Sequence, residues 1–394
     1  MTRTLPTERP ANQPFDPPTG LAELRERSPL SRLDYPDGHR GWLVTGHALA
    51  REVLADQRFS VRVELRHLPI PGASGNDQPA PPGMFGAMDA PEHTRYRRLL
   101  AGQFTTRRMR LLAERIQAIT DEHLDAMAAQ GSPADLVPAL ARPLPAQVIC
   151  ELLGVPYADR DRFHQHALDL FRLDNTPEQA AAAYAAVHGV IAELVAAKRS
   201  APTDDLLSGL TESDLADPEL VNIGFTLLGA GLDTTTNQLA LGVFALLEHP
   251  DQLAALRADP GLADRAVEEL LRYLSIIPFT VRTALADVEL GGERIAAGES
   301  VTISVPAANR DPEHFTDPDT LDLHRKTSGH VAFGHGIHQC LGQQLARVQL
   351  QVALPALLAR FPTLRLAVPA EDIAVRSDML IYGVHELPVA WDAA

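Results

Sequence analysis

Along most of this chain apolar residues recur every three to four positions, the spacing of a helix that buries one face. The pattern predicts helices over 46–56, where Leu49, Val53 and Leu54 share a side, and over 92–101, 106–129, 146–153, 159–173 and 177–198. A longer one, 218–248, is apolar nearly all round between Val221 and Leu247, so it should run through the core. Two more helices are expected at 251–258 and 262–273. The texture then changes. Residues 287–304 alternate and are punctuated by Gly291, Gly292 and Gly298, which predicts short strands and a hairpin. A loop-rich stretch over 309–338, a helix over 341–359 and a strand over 387–391 complete the chain. The fold class expected is mainly α with a small β region.

Two segments fall outside this rhythm. Residues 1–20 carry Pro6, Pro10, Pro14, Pro17 and Pro18 and read as an irregular N-terminal arm without the apolar run of a secretory signal. Residues 69–83 are rich in Pro, Gly, Ser, Asn and Asp and form a loop long enough to be a linker or a functional loop; the segment before it is short for a domain. No run of about 18 apolar residues is evident, so no membrane span is expected and the location expected is cytoplasmic.

Composition narrows the function classes. A chain of 394 residues, 45% hydrophobic, can bury a large core. A formal net charge of -16 argues against a nucleic-acid or anionic-membrane binder. The two cysteines, Cys150 and Cys340, exclude a disulfide framework. Cys150 lies in an apolar helix and reads as structural.

Cys340 lies in Phe333-Gly334-His335-Gly336-Ile337-His338-Gln339-Cys340-Leu341-Gly342, where a glycine-rich loop meets a helix. A helix N-terminus there would lower a thiol pKa. On residues alone an inert thiol and a zinc site using His335, His338 and Cys340 stay open, although the zinc spacing is unusual. A phosphate loop lacks the Lys and Ser/Thr it needs.

Residues 333–342 resemble the haem-binding signature of the cytochrome P450 family, F-G-x-G-x-H-x-C-x-G, at every fixed position. The resemblance runs from about residue 40 to the C-terminus and is closest to the soluble bacterial type. It implies a cytochrome P450 fold, with a long central helix over the haem and a proximal cysteine loop, as one catalytic domain over 21–394. Cys340 would be the axial ligand of a haem b iron, a thiolate that pushes electron density toward O–O cleavage. Phe333, Gly334 and Gly342 belong to the same loop.

Further motifs follow in the family's order. Glu269 and Arg272 share a helix face, which alone suggests a surface pair; by resemblance they join Arg325 to brace the cysteine loop. In Gly229-Ala230-Gly231-Leu232-Asp233-Thr234, an acid within an apolar helix needs a partner or a task. A Thr hydroxyl there can bond the carbonyl four residues back. The segment resembles the oxygen-activation motif A-G-x-[D/E]-T, with Thr234 bonding dioxygen and Asp233 relaying protons. His93 and Arg97, otherwise a solvated basic face, resemble the propionate-binding H-x-x-x-R, with Arg282 and His338 as further donors.

The implied activity is insertion of one atom of O₂ into a hydrophobic small molecule, by hydroxylation or epoxidation of a natural-product intermediate. Electrons would come indirectly from NAD(P)H through a ferredoxin reductase and a ferredoxin, since the chain has no flavin or iron–sulfur motif. Arg95, Arg97, Arg98, Arg107, Arg108, Arg110 and Arg115 form a basic stretch that suits an acidic ferredoxin or simply a solvated helix. Substrate contacts are expected from Met84, Phe85, Ala230, Ile277, Phe279 and Ile381, with Phe171, Tyr184, Leu380 and Tyr382 nearby in those segments; each suits a core equally. A monomer is expected. The competing function is a haem protein that binds ligand or couples rather than oxygenates.

Overall fold

In the computed structural model, residues 4–10, 12–71, 77–104, 106–160, 162, 163, 165, 166, 176–376 and 379–392 are described. The expected helix over 159–173, together with Phe171, lies largely outside them.

The helical expectations are met closely. Helices run over Glu92–Ala101, Thr106–Gln130, Pro143–Leu153, Pro177–Ser200, Pro250–Ala258 and Ala263–Leu274. Prolines at 143, 177 and 250 open three of them, where a missing N–H costs nothing. The helix at Pro177 also has a full capping box, with the Thr176 side chain accepting from Gln179 N–H and the Gln179 side chain from Thr176 N–H. The long helix, Asp217–Glu248, has 32 residues and spans about 48 Å. It is buried against the helices Pro143–Leu153 and Pro177–Ser200 on one side and Ala263–Leu274 on the other. Its central placement follows from its sequence: a helix without a polar face must be covered all round.

The β portion is larger than expected. Strands β1 (Leu30–Asp34), β2 (Arg40–Val44), β3 (Phe59–Ser60), β5 (Phe279–Ala284) and β8 (Ser300–Ser304) form one sheet in the order β1-β2-β8-β5-β3. Here β4 is Ala134–Asp135, β6 is Val288–Leu290 and β7 is Glu293–Ile295. β2 and β8 run parallel, pairing Trp42 with Val301, and the other neighbours are antiparallel. The expected hairpin is β6–β7, turning through Gly291 and Gly292 at φ 56° and 81°, the left-handed region that glycine adopts at little cost. β9 (Arg365–Leu366) and β10 (Pro388–Ala390) add a small sheet with β4.

Phe15, in the N-terminal arm, is buried against Phe244, with ring centroids 4.8 Å apart. One helix, Glu178–Ser200, is long and apolar enough to cross a membrane by composition. It packs on the long helix.

Candidate active site

The cysteine loop is built by close backbone contacts. Cys340 N–H donates to Phe333 O at 2.9 Å and closes the loop. Gly334 and Gly336 have φ 69° and 75°. A Cβ at Gly336 would lie 2.4 Å from Leu54 O, so only glycine permits the approach to helix His47–Ala55. The helix after the loop begins at Gln343, with Gly342 as its N-cap. A Cβ at Gly342 would meet nothing within 4 Å. Cys340 is exposed, unlike the buried Cys150.

The thiol expectation is corrected. Although Cys340 is exposed as a residue, protein packed around it desolvates the thiol and pushes its pKa up, and the Gly342 backbone, Arg97 and Arg347 only partly offset this.

Beneath the loop lie two ionic clusters. Glu269 and Arg272, both fully buried, pair through two bonds of 2.8 Å. Arg325 Nε reaches the same carboxylate at 3.1 Å, and Asp322 N–H at 3.0 Å. Arg272 also donates to the carbonyls of Asn309, Pro318 and Thr320, tying the helix to the chain that leads into the cysteine loop. Asn309 continues the tie: its side chain donates to Ser275 Oγ and accepts from Val331 N–H.

The second cluster escaped the sequence reading because Glu268 adjoins the motif glutamate. Glu268 accepts from Arg347 Nε at 2.5 Å and pairs with His330 Nε2 at 3.0 Å. The Arg347 guanidinium lies 4.7 Å from the centre of the Phe333 ring. Burial opposes ionisation of Glu268, but bonds from His330 and Arg347 prevail and hold its pKa at about 2. A depressed carboxylate stabilises the fold above its ordinary value and loses that contribution as pH falls through the folded value. Glu268→Gln should therefore cost about 2 kcal/mol at pH 7, and the difference from wild type should shrink toward pH 2. Urea midpoints across that range test this; a difference independent of pH contradicts it.

The four proposed propionate donors come together. His93 and His338 rings lie 4.0 Å apart, and Arg97 Nη2 donates to Gln339 O at 2.9 Å. Burial lowers His93 to about 4, with Arg97 adding to it, and lowers His338 to about 3, with His93, Arg282 and Arg97 adding. Burial also brings Arg282 to about 10, with Arg66 adding. His93 Nδ1 is buried without a hydrogen-bond partner. Two guanidinium groups, Arg97 and Arg282, beside two imidazoles held neutral by burial, with His93 Nδ1 left without a partner, make a donor set that two carboxylates would complete, so these residues fit a haem. Among the described residues no group of three His, Cys, Asp or Glu side chains could hold a bare metal ion, which removes the zinc reading.

The long helix is buried over most of its length but opens at Gly229–Gly231 and at Asp233 and Thr234, with Ala230 exposed. Thr234 Oγ1 donates to Ala230 O at 2.6 Å, the back-bond its sequence suggested. Asp233 has a partner that the sequence did not reveal: Arg376 Nη1 lies 2.8 Å from its Oδ1. Asn237 Nδ2 donates to Asp233 O at 2.8 Å and Oδ1 at 3.0 Å.

The substrate expectations fare unevenly. Phe279 lines a cavity with Leu380 and Tyr382. Phe85, in contrast, is buried in the main core, while Ile277 and Ile381 pack against that core. Met84 is half-buried, and Tyr184 is exposed beside Phe225. The basic stretch is less positive than its sequence. Arg95 pairs with Glu219 and Asp214, Arg108 with Asp204 and Arg115 with Glu151. The side chains of Arg107 and Arg110 lie outside the described residues. Tertiary partners more than 30 residues away account for the difference.

A family model for cytochrome P450 matches residues 261–375. The chain is 51% identical over 380 residues to cytochrome P450 105C1 of a Streptomyces species, covering 96% of each. It is 46% identical over 383 residues to pentalenic acid synthase of Streptomyces avermitilis, covering 96% of this chain and 95% of that one. The crystal structure of cytochrome P450 MoxA from Nonomuraea recticatena superposes with a TM-score of 0.92 at 44% identity, covering 99% of both chains. Fold and relatives alike define an oxidoreductase that uses haem and O₂. The chain belongs to the cytochrome P450 family.

Proposed function

We propose that this monooxygenase inserts one oxygen atom of O₂ into a hydrophobic intermediate of bacterial secondary metabolism, with the second atom leaving as water. Two electrons per turnover come from NAD(P)H through a ferredoxin reductase and a ferredoxin, and two protons come from solvent. The observation that carries the reading is the cluster of His93, Arg97, Arg282 and His338, short of anions, beside the exposed Cys340. Relatives in secondary metabolism, such as pentalenic acid synthase, support the substrate class.

Cys340 would ligate the iron of haem b. His93, Arg97, Arg282 and His338 would hold its propionates, and Phe333, Gly334 and Gly342 would form its bed. When bound, the haem supplies the iron at which O₂ is reduced. Thr234 sits at the opening of the long helix and can turn its hydroxyl from Ala230 O toward that space. Asp233, one residue away, is placed to hold or pass a proton. Glu269, Arg272 and Arg325 act through the loop rather than on substrate.

The experiment is turnover with purified ferredoxin and reductase, reading oxygenated product per NAD(P)H consumed. Thr234→Ala should lower that ratio about tenfold or more while NAD(P)H consumption continues, because protons then arrive without control. An unchanged ratio would remove Thr234 from proton delivery. Substrate-dependent consumption that yields no oxygenated product would refute the monooxygenase reading.

A further inference from the structure

A cavity of about 710 Å³ lies between the N-terminal arm, the start of β5 and residues of 370–376 and 379–382. Much of its wall is apolar, including Leu5, Ile70, Phe279, Val375 and Leu380. Two guanidinium groups line it, Arg9 and Arg376. Neither is saturated. Arg9 lies 3.6 Å from the centre of the Tyr382 ring and donates through Nη1 to the backbone carbonyl of Asp16. Among the described residues no carboxylate lies within ion-pair distance of it. Its burial without such a partner draws its pKa down to about 10.

Arg376 is buried and uses one nitrogen, Nη1, to hold Asp233. Its Nε and Nη2 have no hydrogen-bond partner among the described residues. That leaves the side of the fork which binds a carboxylate through two parallel bonds. The acids on the wall, Glu8 and Glu371, are exposed and form no ion pair with either arginine. Of the charged groups on the wall the two acids face solvent, while Arg9 has no carboxylate within ion-pair distance among the described residues and Arg376, balanced by Asp233, keeps one open edge.

We propose that this cavity binds a hydrophobic molecule bearing a carboxylate, with the anion on the free edge of Arg376 and Arg9 supplying the second positive charge of the wall. The inference rests on the monooxygenase reading and narrows its substrate class. It also explains the position of Arg376. A ligand anchored there is held beside Asp233, where the long helix is only partly buried.

Isothermal titration of the haem-loaded protein with decanoate and with 1-decanol tests the site. Decanoate should bind at least about tenfold more tightly, the contribution of one charge-assisted pair. Arg376→Gln and Arg9→Gln should each erode that preference while leaving decanol affinity within about twofold. Asp233→Asn, which releases Arg376, should preserve or enlarge it. Equal affinities in wild type, or a preference intact in both arginine variants, would overturn the proposal. Arg9→Gln decides the matter if Arg376→Gln does not fold, since Arg9 makes no ion pair. Product formation is read separately, so a failure of oxygenation leaves the affinity ratio to judge the cavity.

Discussion

Replacing Cys340 with serine should leave a folded protein that no longer gives the thiolate-type Soret band when reduced under carbon monoxide. The fold should survive because the side chain contributes little packing. Cys340 is exposed, and the bond that closes its loop is made by backbone N–H to Phe333 O, which serine retains. Chemistry should not survive. A serine hydroxyl is a far poorer anion than a thiol, and without thiolate donation O–O cleavage loses its electronic push. Oxygenation should fall at least about a thousandfold, equivalent to about 4 kcal/mol of barrier. Spectra, haem content and turnover on one preparation check this. A thiolate-type band in a folded Cys340→Ser protein would show that another residue ligates the iron.

The second large effect is expected at Glu269. Its carboxylate serves Arg272, Arg325 and the Asp322 amide from a fully buried position. Glu269→Ala would leave the Arg272 guanidinium buried without a counter-charge, a loss of about 3–5 kcal/mol. Because Arg272 bonds the carbonyls of 309, 318 and 320, the damage should reach the loop that would cradle the haem. Purified variant should carry haem well below one equivalent and show a lower urea midpoint. Arg325→Lys should be milder, since Arg325 is a partly solvated partner and Glu269 keeps Arg272. Full haem occupancy with an unshifted midpoint in Glu269→Ala would sink the bracing role.

Much of this was legible in the chain because helices are local. Their 3.6-residue rhythm placed most boundaries within a few residues, and the cysteine loop and the acid–alcohol pair are contiguous segments. What stayed hidden depends on partners far apart in sequence. β2 pairs with the nearby β1 on one side but with β8, as Trp42 with Val301, across most of the chain on the other, so four of its five residues are buried and no alternation marks it. Asp233 clearly needed a partner, but no spacing rule points to Arg376. Arg310 is another such case: almost fully buried, it donates to Phe15 O and Tyr273 O and pairs with Asp319. From sequence it is only part of Asn309-Arg310-Asp311-Pro312.

The contact at Gly336 has a consequence for engineering. The ten-residue signature reads as a portable cassette, yet its backbone is moulded against Leu54 and Ala55, which come from the other end of the chain. A transplanted loop would need that abutment supplied by its new host, or its cysteine would be presented along a different line. Chimaeras that exchange the first sixty residues between relatives are therefore a test of iron ligation, although they leave every residue of the signature untouched.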